Sequence, residues 1–276
     1  MRGKSSVAMA NRTPDGEIVT YQENLTGIYT SGLSKIPFLR GLIILWDSLG
    51  LGMRLLTISA NIQTGEDEKL EGPMLYATLA FSLLLSIGVF FLTPALVLNL
   101  IGRVLPMSPW MSNLLEGLLR LVILVVYLSA IGKMPDIKRV FMYHGAEHKT
   151  INAFEAGVEL TPENVIPYSV EHTRCGTSFI LTLILMSILI FSLFGPLPLH
   201  WRLLTRLLMI PVLSGISYEY IRLISKHLES PLIRFISKPN LALQQLTTRE
   251  PTEAMLEVSI RAFNLMKTME DKKEPA

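Results

Sequence analysis

The sequence predicts an all-α integral membrane protein. Its core is a four-span helical bundle, joined to a small N-terminal β-hairpin, an amphipathic or re-entrant helix and C-terminal cytoplasmic helices. Three observations predict this. Half of the 276 residues are hydrophobic and 17% are charged, a balance too apolar for an ordinary soluble domain. Two long runs carry no charge at all. Lysine and arginine concentrate in the segments between apolar runs. The net charge is only +2, from 25 basic and 23 acidic residues, so nucleic acid is not an expected partner. A single cysteine excludes an intramolecular disulfide framework. The polar start MRGKSSVAMANRTPDGEIVT lacks the apolar core of a cleavable signal peptide.

Within residues 1–35, Val7 to Asn11 and Glu17 to Thr20 flank Thr13-Pro14-Asp15-Gly16, a turn signal between two short strands. Residues 36–72 include IPFLRGLIILWDSLGLGMRLLTISANI, which is apolar but interrupted by Arg40, Asp47, Arg54, Gly50 and Gly52. It is too broken for a good span and reads as an interfacial or re-entrant helix. Residues 73–225 form the bundle. Gly72 to Gly102 and Cys175 to Trp201 are free of Asp, Glu, Lys and Arg and exceed the roughly 20 residues that cross a bilayer. Trp110 to Gly132 carries Glu116 and Arg120, and Leu203 to Ser225 carries Arg206, Glu219 and Arg222. Glu116 and Arg120 are four apart and can pair on one helix face. Pairing across the bundle is a plainer account of these charges than an ion path.

Residues 1–72 hold seven Lys and Arg, 133–174 hold five and 222–276 hold nine, against Arg103 and Arg202 alone in the two other loops. Positive charge is retained on the cytoplasmic side. Both termini and the central loop 133–175 are therefore expected inside the cell membrane, with four spans between them. In residues 226–276, Ser230-Pro231 suits a helix start and Pro239-Asn240 a break. Leu256, Ile260, Phe263 and Met266 recur at helical spacing, predicting a final amphipathic helix. The tail DKKEPA reads as disordered.

Chemistry concentrates in the central loop, which holds three of the five histidines and the only cysteine. His144 and His148 are four apart, so on a helix both imidazoles project from one face with the spacing that grips a divalent ion. The order His144-x-x-Glu147-His148 is that of inverzincin metalloproteases, in which the glutamate activates water. A third ligand must come from elsewhere. Glu155 shares the face but lies roughly 10 Å farther along a straight helix. His172 and Cys175 form a His-x-x-Cys pair that a loop could fold back to the helix, and both types suit zinc. Against this, a histidine pair near an interface also serves to bond carbonyls or lipid phosphates. Arg174, followed by Cys-Gly-Thr-Ser, has the makings of an anion contact at a helix start, although positive-inside anchoring explains it more simply.

At YHGAEHKTINAFEAG and HTRCGTSF the sequence resembles the YqhQ-like family of bacterial multi-pass membrane proteins, built on a domain of unknown function. The resemblance continues through MRG, PDG, IPFLRG and LALQQLTTREPTEAMLEVSI. It implies a predicted metal-dependent enzyme and marks His144, Glu147, His148, Glu155, His172 and Cys175 as family-pattern positions. Relatives carry a glycine-rich GGQAVIEGVM-like segment before the Met-Arg-Gly. A strand or ligand from such a segment would add to the site.

The resulting expectation is a divalent metal site, zinc by donor type, at the cytoplasmic membrane surface. His144 and His148 bind it, His172 or Cys175 completes it, and Glu147 acts as general base in hydrolysis of a peptide or lipid-like substrate. The competing expectation is a non-catalytic membrane scaffold or lipid-binding module with a structural metal.

Overall fold

Turn chemistry at residues 13–16 starts the fold. In the computed structural model, which describes residues 1–27, 36–46, 50–64, 72–173, 175–195, 197–227 and 229–272, Gly16 takes a φ of 91°, open to glycine without strain. Its N–H donates to Thr13 O at 3.0 Å, and Thr13 N–H donates to Glu17 O at 2.8 Å. The turn joins β1 (Ser6–Arg12) to β2 (Ile18–Asn24), paired antiparallel with Val7 opposite Glu23 and Asn11 opposite Val19. Both strands are longer than the turn signal alone suggests. The extra length is covered by tertiary contact: the last helix, α12 (Glu253–Asp271), packs on both strands, and Glu270 accepts from Ser5 N–H at 3.0 Å.

The segment expected as one interfacial or re-entrant helix is two helices, α1 (Leu39–Trp46) and α2 (Gly52–Thr64). Arg40 explains why the first sits against the bundle, since its Nε donates to Glu219 Oε1 at 2.6 Å. Gly41 lets the backbones close: a Cβ there would lie 2.5 Å from Ser214 O.

The first uncharged run is α3 (Gly72–Ile87), a π turn (Gly88–Leu92) and α4 (Thr93–Val104). The second apolar helix is α5 (Pro109–Ile131). These two stretches, 33 and 23 residues, are long and apolar enough to cross a membrane. No described side chain of α3 is buried, the inverse of a soluble helix, which hides its apolar face. The third expected span, Cys175 to Trp201, is not one helix: α8 covers Gly176–Ser192, and the span's last three residues begin the next helix. The fourth is split into α9 (Leu199–Leu208) and α10 (Ile210–Lys226), bent by 45°. Pro211, early in α10, has no N–H to continue the preceding turn. Counted as one, the bent pair brings the candidate spans to three.

The expected break at Pro239 is absent. The helix α11 (Pro231–Gln244) runs through it, because the residues after the proline are held from outside. Asn240 Nδ2 donates to Thr182 Oγ1 at 3.0 Å, and Gln244 Nε2 to Ser178 Oγ at 2.7 Å, both on α8. Residues 273–276, most of the tail expected as disordered, lie outside the described residues.

The site sits on α6 (Pro135–Glu155), which begins with a proline where the missing N–H costs nothing. Ala146 and Ala153 of α6, Val165 of the short α7 (Pro162–Val165), and Leu256 and Ile260 of α12 form its core. Burying a side chain the size of Leu256 contributes about 1.5–3 kcal/mol. The hairpin, α6 and α12 thus form one body beside the apolar helices. Between α5 and α8 the approach is tight, and a Cβ at Gly117 would lie 2.9 Å from Ile188 Cγ1. Gly117→Val should therefore lower the melting temperature, by the equivalent of about 1–3 kcal/mol for overpacking. Gly102→Ala, which meets nothing within 4 Å, should leave it level or slightly higher. Thermal unfolding of the two variants in one detergent checks the pair.

Candidate metal centre

Because α6 is unbroken through the motif, His144 and His148 stand one turn apart, their ring centroids separated by 4.3 Å. Each imidazole is turned by its own backbone partner. His144 Nδ1 lies 2.8 Å from Thr247 O, and His148 Nδ1 lies 2.6 Å from Val170 O. A carbonyl oxygen only accepts, so both Nδ1 atoms carry hydrogen and donate. Both Nε2 atoms then face inward. Cys175, the residue just before α8, completes the group: its Sγ lies 3.1 Å from His144 Nε2. Donor atoms of His144, His148 and Cys175 all fall within 4.8 Å of one another. Tetrahedral zinc, with Zn–S about 2.3 Å and Zn–N about 2.0–2.1 Å, sets nitrogen and sulfur donors roughly 3.3–3.6 Å apart, so the three residues fit such an ion with small adjustments.

His172 is not in this group. Its Nε2 lies 3.5 Å from Glu155 Oε2, and its ring centroid is 6.0 Å from that of His148. Glu155, about two turns beyond His148, thus meets His172. Glu147 sits on the flank of α6 that faces a groove of about 610 Å³ between β1, α2 and α6, also lined by Arg139 and Tyr143. Arg174 lies outside the described residues.

The charges follow from the geometry. Burial alone would raise the Cys175 thiol, but hydrogen bonds and positive charge from His144 and His148 bring it down to about 5. Burial would lower His144. The thiolate, the Thr247 carbonyl and Glu147 outweigh it and raise His144 to about 9. Between those limits the metal-free pair is thiolate and imidazolium, with a proton on His144 Nε2 pointing at sulfur. Glu147 is pushed up by burial, yet the Met1 ammonium and the imidazoles of His144, His148 and His172 hold it below the usual carboxylate range. It therefore stays ionised.

Several residues that build the site are not among the candidate ligands of the sequence. Lys149 is buried on α6 and donates to Ile166 O and Tyr168 O, both at 2.6 Å. Asn152 Nδ2 donates to Ser169 O and Glu171 O. Gln244 closes on His172 from both sides, accepting its N–H at 2.9 Å and donating to its carbonyl at 3.1 Å. Together they hold loop 166–172 so that Val170 O and Cys175 arrive at α6. Gly145 admits the opposite wall, since a Cβ there would lie 2.1 Å from Arg249 O. A glycine inside a helix costs about 1 kcal/mol against alanine. Its position beside His144 was a readable sign of close packing.

The geometry defines a helical, apolar-rich protein with a His-His-Cys cluster at the edge of its membrane-type helices. The chain belongs to the family described as "Protein of unknown function (DUF1385)", whose model matches residues 36–269. It is 35% identical to "Uncharacterized protein YqhQ" of Bacillus subtilis (strain 168), over 97% of this chain and 89% of that protein. No solved structure matches the chain. The family description assigns no reaction, and the chemistry rests on the side chains.

Two outcomes test this geometry. In protein stripped with chelator, alkylation of Cys175 by iodoacetamide should be nearly flat from pH 6 to 8, because a thiol with its pKa at about 5 is already ionised there. In His144→Ala the rate should climb with pH toward the ordinary thiol value of about 8.5. A native rate that climbs in the same way overturns the thiolate assignment. Gly145→Ala should push segment 247–249 off α6 and lower the melting temperature by the equivalent of about 1–3 kcal/mol, measured by thermal unfolding.

Proposed function

We propose that this chain is a four-span integral membrane protein that holds a divalent metal, zinc by donor type, through His144, His148 and Cys175, and acts as a metal-dependent hydrolase at the cytoplasmic membrane surface. The observation that carries the reading is the pair of Nδ1 hydrogen bonds to Thr247 O and Val170 O. Metal-binding histidines characteristically donate their other ring N–H in this way, which fixes the tautomer and the direction of the lone pair. Two Nε2 lone pairs and a thiolate on one point repel unless an electrophile lies between them.

The spans are α3 with α4, α5, α8, and the bent α9 and α10. The hairpin, α6 and α12 pack together, so they lie on one side. An even number of crossings must then separate the hairpin from α6 and α6 from α12. The distribution of Lys and Arg makes that side cytoplasmic.

A bound zinc ion supplies Lewis acidity, which polarises a carbonyl and acidifies water. His144, His148 and Cys175 would hold it, three protein donors being the number that catalytic zinc sites use. Glu147, ionised and facing the groove, accepts the proton that hydrolysis releases from water. The groove combines apolar walls at Met9, Leu55 and Val140 with Arg12 and Arg139, which suits an extended peptide or a lipid with a polar head.

A purely structural metal, stapling a loop of a scaffold or lipid-binding module, is less well supported. Loop 166–172 is already held by Lys149, Asn152 and Gln244, and among the described residues three donors converge where closed structural sites use four.

Elemental analysis of the detergent-purified protein should find about one zinc per chain. The double variant His144→Ala, His148→Ala should lose it. Glu147→Gln should keep the metal while abolishing hydrolysis of a peptide or lipid ester. Equal metal in native protein and double variant would end the reading, and loss of metal in Glu147→Gln would move Glu147 from proton transfer to coordination.

A further inference from the structure

A second group of buried charges lies toward the end of α5 farthest from α6. Glu116, 1% exposed, meets Arg120 of its own helix, with Oε1 3.0 Å from Arg120 Nη2. It also meets two arginines of α9: Arg206 Nε is 3.3 Å from Oε1, and Arg202 Nη1 is 3.5 Å from Oε2. Even if Arg120 is set wholly against Glu116, two guanidinium charges remain. Guanidinium does not shed its proton in proteins, so the excess cannot be relieved by titration. Burial of an uncompensated charge costs several kcal/mol in practice.

Arg206 is 2% exposed and held in place on three sides. Its Nη2 donates to Asn113 Oδ1 at 3.1 Å, and its guanidinium stacks over Phe191 at 4.1 Å from the ring centroid. Asn113 is itself fixed by donating to Phe194 O at 2.8 Å. Yet Arg206 Nη1 is buried with no hydrogen-bond partner among the described residues. A donor held rigid, charged and buried calls for a hydrogen-bond partner that the described residues do not supply, as does Glu116 Oε2 beside it. Trp110 and Trp201, both half exposed, precede Glu116 and Arg206 by six and five residues, roughly 8–9 Å along their helices, and Arg202 directly follows Trp201. Such aromatics settle at the membrane interface. Arg202, the least buried of the three arginines at 13%, lies nearest that level.

We propose that Arg202 and Arg206 form a binding site for a phosphate-type oxyanion, entered past Arg202 from the membrane interface. A phosphate group carries the one to two negative charges that the cluster lacks, and the planar guanidinium fork matches its oxygens. The same chemistry is offered by an anionic phospholipid headgroup and by free phosphate. This site shares no residue with the metal centre.

The test uses the full chain in a phosphate-free, non-ionic detergent at constant ionic strength. Melting temperature is followed against inorganic phosphate, with chloride as control, and against phosphatidylglycerol, with diacylglycerol as the control that lacks phosphate. Phosphate or phosphatidylglycerol should raise it and the controls should not. A rise with phosphate assigns the free ion, and a rise with the lipid alone assigns the headgroup. Arg202→Gln, which removes one uncompensated charge, should keep or raise the ligand-free melting temperature and leave the zinc content unchanged, while weakening the response about tenfold, the loss of one charge-assisted hydrogen bond. Arg206→Gln should weaken it further, and if that variant does not fold, Arg202→Gln decides. No response in the native protein, or an undiminished response in Arg202→Gln, overturns the proposal.

Discussion

Two hydrogen bonds carry the site, those from Nδ1 of His144 to Thr247 O and from Nδ1 of His148 to Val170 O. Each fixes a tautomer and aims a lone pair, and each makes demands elsewhere in the chain. Thr247 O reaches His144 only if segment 247–249 lies against α6, which Gly145 permits and the bond from Arg249 N–H to Phe141 O secures. Val170 O reaches His148 only if loop 166–172 is drawn onto the same helix. That accounts for a lysine buried at position 149: its three N–H donors are spent on Ile166 O, Tyr168 O and Glu250, so the charge is covered by oxygen on its way into the core.

The cluster has two ways to be electrically satisfied, and they compete for one place. Without metal, a proton on His144 Nε2 separates imidazole from thiolate. On the proposed reading, a metal ion would take that position and release the proton, so affinity and acidity would be linked. The preparation of the ligands is the same in both cases, because Nδ1 is protonated throughout and Cys175 is already ionised at neutral pH. The site is thus organised for an electrophile before one arrives, and little reorganisation is required of the protein.

The legible and illegible parts of this fold separate by physics. Uncharged runs mark α3, most of α4 and α8, and α5 is still apolar enough to read as a span despite Glu116 and Arg120, since hydropathy is a property of each residue. The His144 and His148 pair is legible because helical spacing alone puts both rings on one face. His172 and Cys175 are not separable by spacing: three residues apart in a loop, either reaches α6, and the choice depends on Gln244 gripping the His172 backbone. Thr247 and Val170 are illegible because they act through carbonyls that every residue possesses. Pro239 reads as a break since local rules see only the lost N–H, whereas side chains of α8 hold the helix just after the loss, at Asn240 and Gln244. Length of α8 misleads in the other direction, as the uncharged run continues past Ser192, where α8 ends, into residues 199–201, which already belong to α9.

The helix α8 joins the two charged places in the molecule. Cys175 precedes its first turn, and Phe191, near its last, carries the Arg206 guanidinium. Its flanks are set by short-range contacts, polar toward α11 through Ser178 and Thr182 and close-packed toward α5 where Ile188 meets Gly117. Neither contact leaves much slack, since the first consists of buried hydrogen bonds and the second of atoms at van der Waals distance. A shift of α8 along its axis would therefore break buried hydrogen bonds at one end and withdraw the aromatic face from Arg206 at the other. Small-residue packing against α5 is the arrangement that lets a helix this apolar hold its register without a polar ladder along its whole length.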